Sequence, residues 1–261
     1  MPLDNMASLI QKVANQARTT FKAAAPLSLG DRVTFHENLA NLKGLLGEVR
    51  AEDLNIRPRR SADSPPVAPR QRQSRPPVTY MHISETEGFS MGVFLLDGGT
   101  CIPLHDHPGM HGLLKVIYGK VQIQCFDRLE KGDGPGAASG LEFSSPLPQG
   151  QREALRGSVL RSSHQFDEAH GACVLSPDRD NLHEISAVDG PAAFLDVLAP
   201  PYCSAEGRDC HYYRVLEVSG SGGKAGPEPA QPPRHVWLLE VPQPVDFWCD
   251  AEPYPGPPVA L

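Results

Sequence analysis

The run GTCIPLHDHPGMHGLLKVIYG, residues 99–119, decides how the rest of the chain is read. It sets His105 and His107 two positions apart in a β-type segment, lets Pro108 and Gly109 force a turn, and then starts the apolar run LLKVIYG. Residues i and i+2 of a strand share a face, so both imidazoles can reach one metal ion while Asp106 faces the other way. A third candidate, His183, lies in DRDNLHEI at the start of another β-type run, with Glu184 expected on the opposite face. The histidines at 82, 111, 164, 170, 211 and 235 have no partner at ligand spacing and are read as surface or core residues.

Outward from this segment, short β-rich runs recur from Val78: VTYMHI, SMGVFLL, KVQIQCF, AAFLDVLA, HYYRVLEV and HVWLLEV, separated by Gly, Pro and Asp. Evenly spaced runs of this kind predict a sandwich or barrel. Residues 131–151 and 219–233 are rich in Gly, Pro and Ser and read as loops between strands. Upstream, Met6, Leu9, Ile10, Val13, Ala17 and Phe21 form one apolar stripe, and residues 35–54 repeat the pattern with Leu39, Leu42, Leu46 and Val49. The expected organisation is two helices within 1–56 packing on the barrel, a Pro/Arg-rich linker or strap at 57–77, and a mainly β domain over 78–261.

Composition removes several classes. With 24 Lys plus Arg against 31 Asp plus Glu, the chain offers no basic surface for polyanions, so nucleic acid is not expected as a partner. No stretch approaches the roughly 18 to 20 apolar residues of a membrane span, and no membrane partner is expected. The six cysteines are scattered and read as reduced thiols in a cytoplasmic protein. Residues 5–30 carry Lys12, Arg18 and Lys22 with no acid between Asp4 and Asp31, so mitochondrial import stands as the alternative to a packing helix. No sustained heptad demands self-association, and a monomer is expected.

Gly99, His105, His107 and Gly119 sit at the spacing of the first cupin motif, which resembles a distorted, jelly-roll-like β-barrel fold. The glutamate of that motif is Gly112 here. Two histidines plus a carboxylate mark oxygenases that need an organic cosubstrate, whereas three neutral imidazoles leave a divalent metal with both charges and favour an anionic thiolate. PLHDHPGMHG, RDNLHEI, GPAAFLDVLAPPY and GRDCHYYRV closely resemble the thiol dioxygenase family, which includes the cysteamine dioxygenases and the plant cysteine oxidases. The resemblance covers nearly the whole chain. It implies one Fe(2+) held by His105, His107 and His183, with O2 as cosubstrate. It also implies oxidation of cysteamine to hypotaurine, and of the N-terminal cysteine of proteins or peptides in an oxygen-sensing degradation pathway.

The resemblance places Asp196, inside the apolar run FLDVLAPPY, near the metal pocket, where it either orients substrate or oxygen or holds a loop or ligand imidazole by hydrogen bonds. Tyr202 is a further pocket candidate. Cys210 and Tyr212 share a strand face, so either a thioether joins them or they simply pack. Two other readings stay open: a zinc or manganese cupin acting as isomerase or hydrolase, and a scaffold whose helices recruit a partner.

Overall fold

The computed structural model describes residues 7–22, 29–59, 76–129, 142–143, 147–218 and 234–261. Most of the two Gly-rich segments and residues 60–75 of the Pro/Arg-rich segment lie outside these, and so do the expectations made for them. The described elements are α1 (Leu9–Thr20), α2 (Leu29–Glu48), a 3-10 turn at Ala51–Leu54, β1 (Val78–Glu85), β2 (Ser90–Leu96), β3 (Cys101–Asp106) and β4 (His111–Arg128). Then follow α3 (Gln149–Glu153), β5 (Arg156–Asp167), β6 (Cys173–Leu175), β7 (Leu182–Ala199), a 3-10 turn at Ser204–Glu206, β8 (Tyr212–Leu216), β9 (Arg234–Val241) and β10 (Cys249–Ala251).

The strands pair in the order β10-β1-β2-β7-β3-β8-β9-β5-β4-β6, and β4 also pairs with β7. That extra pairing closes β7, β3, β8, β9, β5 and β4 into a six-stranded antiparallel barrel. This is the cupin-type architecture expected. Closure leaves the barrel strands no free edge for another chain to extend.

Two 18-residue strands, β4 and β7, run through both halves of the barrel. They were expected as shorter separate runs; each instead turns a corner without losing its partner. In β4 the corner is Gly119, with a left-handed φ of 75°, where a Cβ would lie 2.4 Å from the Pro191 carbonyl oxygen. In β7 it is Asp189 and Gly190, with φ of 59° and 139°. The β4–β7 register shifts between Val116 and Tyr118 and between Tyr118 and Lys120, where the two corners meet. Strand β5, whose RGSVLRSSHQFD is too polar to stand out as a β-run, was not anticipated, and α3 takes residues 149–151 from the expected loop.

The helices cover the outer face of the sheet. Ser8 caps α1 by accepting the Gln11 backbone N–H at 3.3 Å, and the α1 stripe buries Ile10, Val13, Ala14 and Ala17. These pack with Leu42, Leu46 and Val49 against Phe89, Val93, Leu113, Ile117 and Leu195. Each fully buried aliphatic side chain contributes about 1.5–3 kcal/mol. Helix α2 begins at Leu29 rather than near residue 35, and it ends at Glu48, after which the chain tightens into a 3-10 turn over Ala51–Leu54. Arg59, at the start of the Pro/Arg-rich segment, pairs with Glu252 at 2.8 Å. A second core inside the barrel joins Leu114, Val116, Val121, Ile123, Ile185 and Phe194.

Candidate metal centre

His105 sits on β3 and His183 on β7, directly opposite each other in the antiparallel register. His107 lies one residue past the end of β3 rather than within it, because Pro108 and Gly109 already form the turn. Asn181 holds it in place instead. The Asn181 Nδ2 donates to the His107 carbonyl at 2.8 Å, and its Oδ1 accepts the His107 backbone N–H at 3.2 Å.

The three imidazoles are buried, with ring centroids 4.6–4.8 Å apart and one ligand atom from each within 4.8 Å of the others. His105 Nδ1 lies 2.8 Å from the Pro103 carbonyl and His107 Nδ1 lies 2.8 Å from the Asn181 carbonyl. A carbonyl can only accept, so both rings carry hydrogen on Nδ1 and turn Nε2 lone pairs to the centre. Burial first, then the neighbouring imidazoles, keeps His107 and His183 neutral, with His107 lowered to about 3 and His183 held well below its ordinary value. Burial likewise lowers His105. A converging set of neutral, oriented imidazoles fits a divalent transition metal.

Among the described residues, no carboxylate or thiol joins this cluster. At Gly112, where a cupin glutamate was sought, a Cβ would come within 2.9 Å of Leu175 Cγ, so a longer side chain there requires Leu175 to move.

Behind the centre, Asp106 points away from the metal face, as alternation requires, into a buried network. Its carboxylate accepts Arg128 Nη2 at 2.6 Å, the Tyr213 hydroxyl at 2.9 Å and the His211 backbone N–H at 3.0 Å. The Tyr202 hydroxyl donates to the Asp106 carbonyl at 2.7 Å, with its ring 5.8 Å from that of His107. Strands β3, β4 and β8 are thereby tied together between the two histidines of the motif. Asp106, Asn181 and His211 were not among the expected site residues. The signal for Asp106 was present: an acid alternating with two histidines on an otherwise apolar strand needs a partner on the opposite face.

Cys210 Sγ is in hydrogen-bond contact with the hydroxyls of Tyr202 and Tyr212, and burial raises its thiol pKa. Tyr212 faces His105 across the β3–β8 pair, with ring centroids 6.4 Å apart. The structure therefore brings Tyr202, Cys210 and Tyr212 together on one side of the centre. Asp196 lies on another wall. It lines both a cavity of about 410 Å³ that includes His183 and one of about 400 Å³ that includes Tyr202, and burial pushes its carboxyl up to about 7.

The PCO_ADO family model matches residues 45–259. The chain is 59% identical over 260 residues to the 2-aminoethanethiol dioxygenase of Mus musculus, covering 99% of both chains. It is 55% identical to the Homo sapiens protein of the same name, again covering 99% of both. The plant cysteine oxidase 1 of Arabidopsis thaliana is 28% identical, with 81% of this chain and 65% of that protein covered. Among solved structures, an oxalate oxidase in complex with the substrate analogue glycolate aligns with a TM-score of 0.35 at 14% identity, covering 54% of this chain and 57% of that one.

Proposed function

Because this chain belongs to the PCO_ADO family, we propose that it is an iron-dependent thiol dioxygenase acting on cysteamine and on the N-terminal cysteine of proteins. The observation that carries the reading is the buried trio of neutral imidazoles with no carboxylate beside them among the described residues. His105, His107 and His183 would hold Fe(2+), which supplies the redox chemistry and the Lewis acidity for reaction of a thiolate with dioxygen. The overall change is RSH plus O2 to RSO2H: sulfur gives up four electrons, one dioxygen takes four, and no external reductant is needed.

The protein groups do the positioning. Nδ1 hydrogen bonds fix the rings of His105 and His107, Asn181 and Asp106 fix the backbone that carries them, and the barrel walls exclude bulk water. Asp196 has a carboxyl that burial poises near neutral pH, which suits it to hold or pass a proton in the cavity beside His183. Tyr202 is tied to the Asp106 carbonyl and closes the side of the centre nearest His107. The similarity to plant cysteine oxidase 1 supports the N-terminal cysteine substrate and, through it, a part in oxygen sensing. The six cysteines are free thiols, which supports a reducing compartment such as the cytoplasm.

The contact between Cys210 Sγ and Tyr212 supports a thioether formed during turnover. An S–H and a ring C–H would be replaced by one C–S bond, with the two hydrogens and their electrons passing to dioxygen. A tryptic peptide lighter by two hydrogens is expected after turnover, and an unmodified peptide from fully active protein would remove the thioether.

The function itself is tested with iron-loaded protein, cysteamine and a Cys-initiated peptide under isotopic dioxygen. Two labelled oxygen atoms on sulfur are expected. The variant His183→Ala should lose both iron and oxidation, at least about 100-fold by analogy with disrupted metal sites. Full activity and iron content in that variant would take His183 out of the metal centre.

A further inference from the structure

Tyr80 on β1 and Asp196 on β7 line the same cavity of about 400 Å³, with β2 lying between their strands. Gly92 of β2 is directly opposite Asp196 and diagonal to Tyr80, which itself pairs with Phe94. A Cβ on Gly92 would come within 2.3 Å of Tyr80 Cε2 and 2.4 Å of its Cζ and hydroxyl oxygen, so the end of the phenol fills the space that a side chain at 92 would take. Residues directly opposite on an antiparallel pair have Cβ atoms about 4.5–5.5 Å apart, which makes that space the neighbour of the Asp196 carboxyl. The Phe94 ring, with its centroid 4.9 Å from that of Tyr80, holds the phenol there.

Among the described residues the Tyr80 hydroxyl makes no hydrogen bond, and the Asp196 carboxyl has the Val197 backbone N–H beside it but no side-chain partner. Tyr202, the other phenol of the cavity, is already committed to the Asp106 carbonyl. The cavity has room for a water that bridges the two groups. Asp196 is also the one described residue that this cavity shares with the cavity beside His183. The reaction gives such a link a use. A sulfinic acid ionises at neutral pH, so RSH plus O2 yields RSO2− plus H+, and one proton has to leave the buried centre in each turnover. The charged or titratable groups around the phenol are Glu85 on its own strand, Asp196 on β7, and Cys249 and Asp250 on β10. Burial first, then these groups, pushes the phenol up to about 12, so it stays protonated and relays only by releasing one proton as it takes another.

We propose that Tyr80 is a positioning residue for Asp196 and carries the reaction's proton away from the centre: its hydroxyl, joined to the Asp196 carboxyl through one water, takes a proton from that side and releases its own to water in the cavity of about 400 Å³. This rests on the thiol dioxygenase reading above. Glu85 and Asp250 line the cavity that the proton reaches, and their charge favours its passage to solvent. The path serves the sulfur rather than the rest of the substrate, so it is the same for cysteamine and for a peptide.

The test compares the iron-loaded full chain with its Tyr80→Phe variant, which keeps the ring and removes one oxygen. For cysteamine and for a Cys-initiated peptide alike, kcat should fall roughly tenfold with KM within about twofold, less than the loss of a general acid or base because water can partly replace the hydroxyl. Iron content should be unchanged, and the solvent deuterium isotope effect on kcat should rise, since proton exit then limits turnover. An unchanged kcat, an isotope effect that stays at the parent's value, or a loss carried by KM alone would overturn the proposal. A second readout needs no turnover. Under nitrogen, the infrared difference between the parent and Asp196→Asn isolates the stretch of the Asp196 carboxyl, and the same difference taken in the Tyr80→Phe background should show that band shifted. A band at the same position would mean that the phenol and the carboxyl are not joined, which also overturns the proposal. If the parent oxidises no thiol while the band still shifts, the dioxygenase reading fails and the link between Tyr80 and Asp196 stands.

Discussion

Asp106 shows how much one side chain can carry. Its carboxylate gathers a guanidinium from β4 and a phenol and a backbone N–H from the start of β8, and its backbone lies between the two histidines of the motif. Truncation to alanine strands these donors, and Arg128, being half-exposed, can rehydrate. The expected cost for Asp106→Ala is therefore about 2–4 kcal/mol in chemical denaturation, together with weaker metal retention on dialysis. Asp196 makes a different prediction, about pH. Its carboxyl is raised by burial to about 7, so in the metal-free protein it keeps a proton that the unfolded chain has already released. That contribution is fully present below about pH 4 and is lost as pH rises through about 7, on the order of 4 kcal/mol. The buried histidines act with the opposite sign, losing stability as pH falls below about 6.5. Denaturation of chelated protein and of Asp196→Asn across pH 5 to 7.5 separates the two, because only the parent should weaken relative to the variant as pH rises. The three histidines could be read from spacing and resemblance because they are chemically distinctive. Asn181 could not, since its value comes from bracketing a turn that is 74 residues away in sequence.

At the level of elements, periodicity found the apolar faces but not how far each strand runs. Beta strands β4 and β7 look interrupted in sequence because Gly119 and the Asp189–Gly190 pair resemble turns, and only the pairing across the barrel shows that the ladder continues past them. Strand β5 was illegible for another reason: its Ser, His and Gln side chains face solvent or neighbouring polar groups, so the alternation that marks a half-buried strand is weak. Helix α2 was placed by its core residues, which identify Leu42, Leu46 and Val49 correctly but say nothing about an exposed first turn. The corner supplies the prediction at this scale. Gly119→Ala puts a Cβ into the Pro191 carbonyl oxygen and forces alanine into a left-handed conformation, so a loss of at least about 2 kcal/mol is expected by thermal or urea unfolding. An alanine variant as stable as the parent would mean that the corner relaxes freely.

For the molecule as a whole, the helices, the sheet and the centre form one continuous arrangement, because the outer core under α1 and α2 and the inner core of the barrel use opposite faces of the same strands. That sharing was legible as amphipathic helices followed by β-runs, and the closure of the barrel through β4 and β7 was not, since it depends on pairs far apart in sequence. The corners have a consequence for how such a chain can change. Gly112 and Leu114 before the corner in β4 line the His183 cavity from even-numbered positions, and Ile123 and Cys125 after it from odd-numbered ones. In β7, His183 and Asp196 show the same exchange of parity. A corner is thus a counting device: it converts even to odd so that both halves of a strand look inward. Adding two residues there preserves the count. Adding one would turn half the wall inside out, exporting Asp196 to the helix side while His183 stays, so a one-residue insertion between 188 and 191 should unfold the chain where a two-residue insertion leaves a folded barrel.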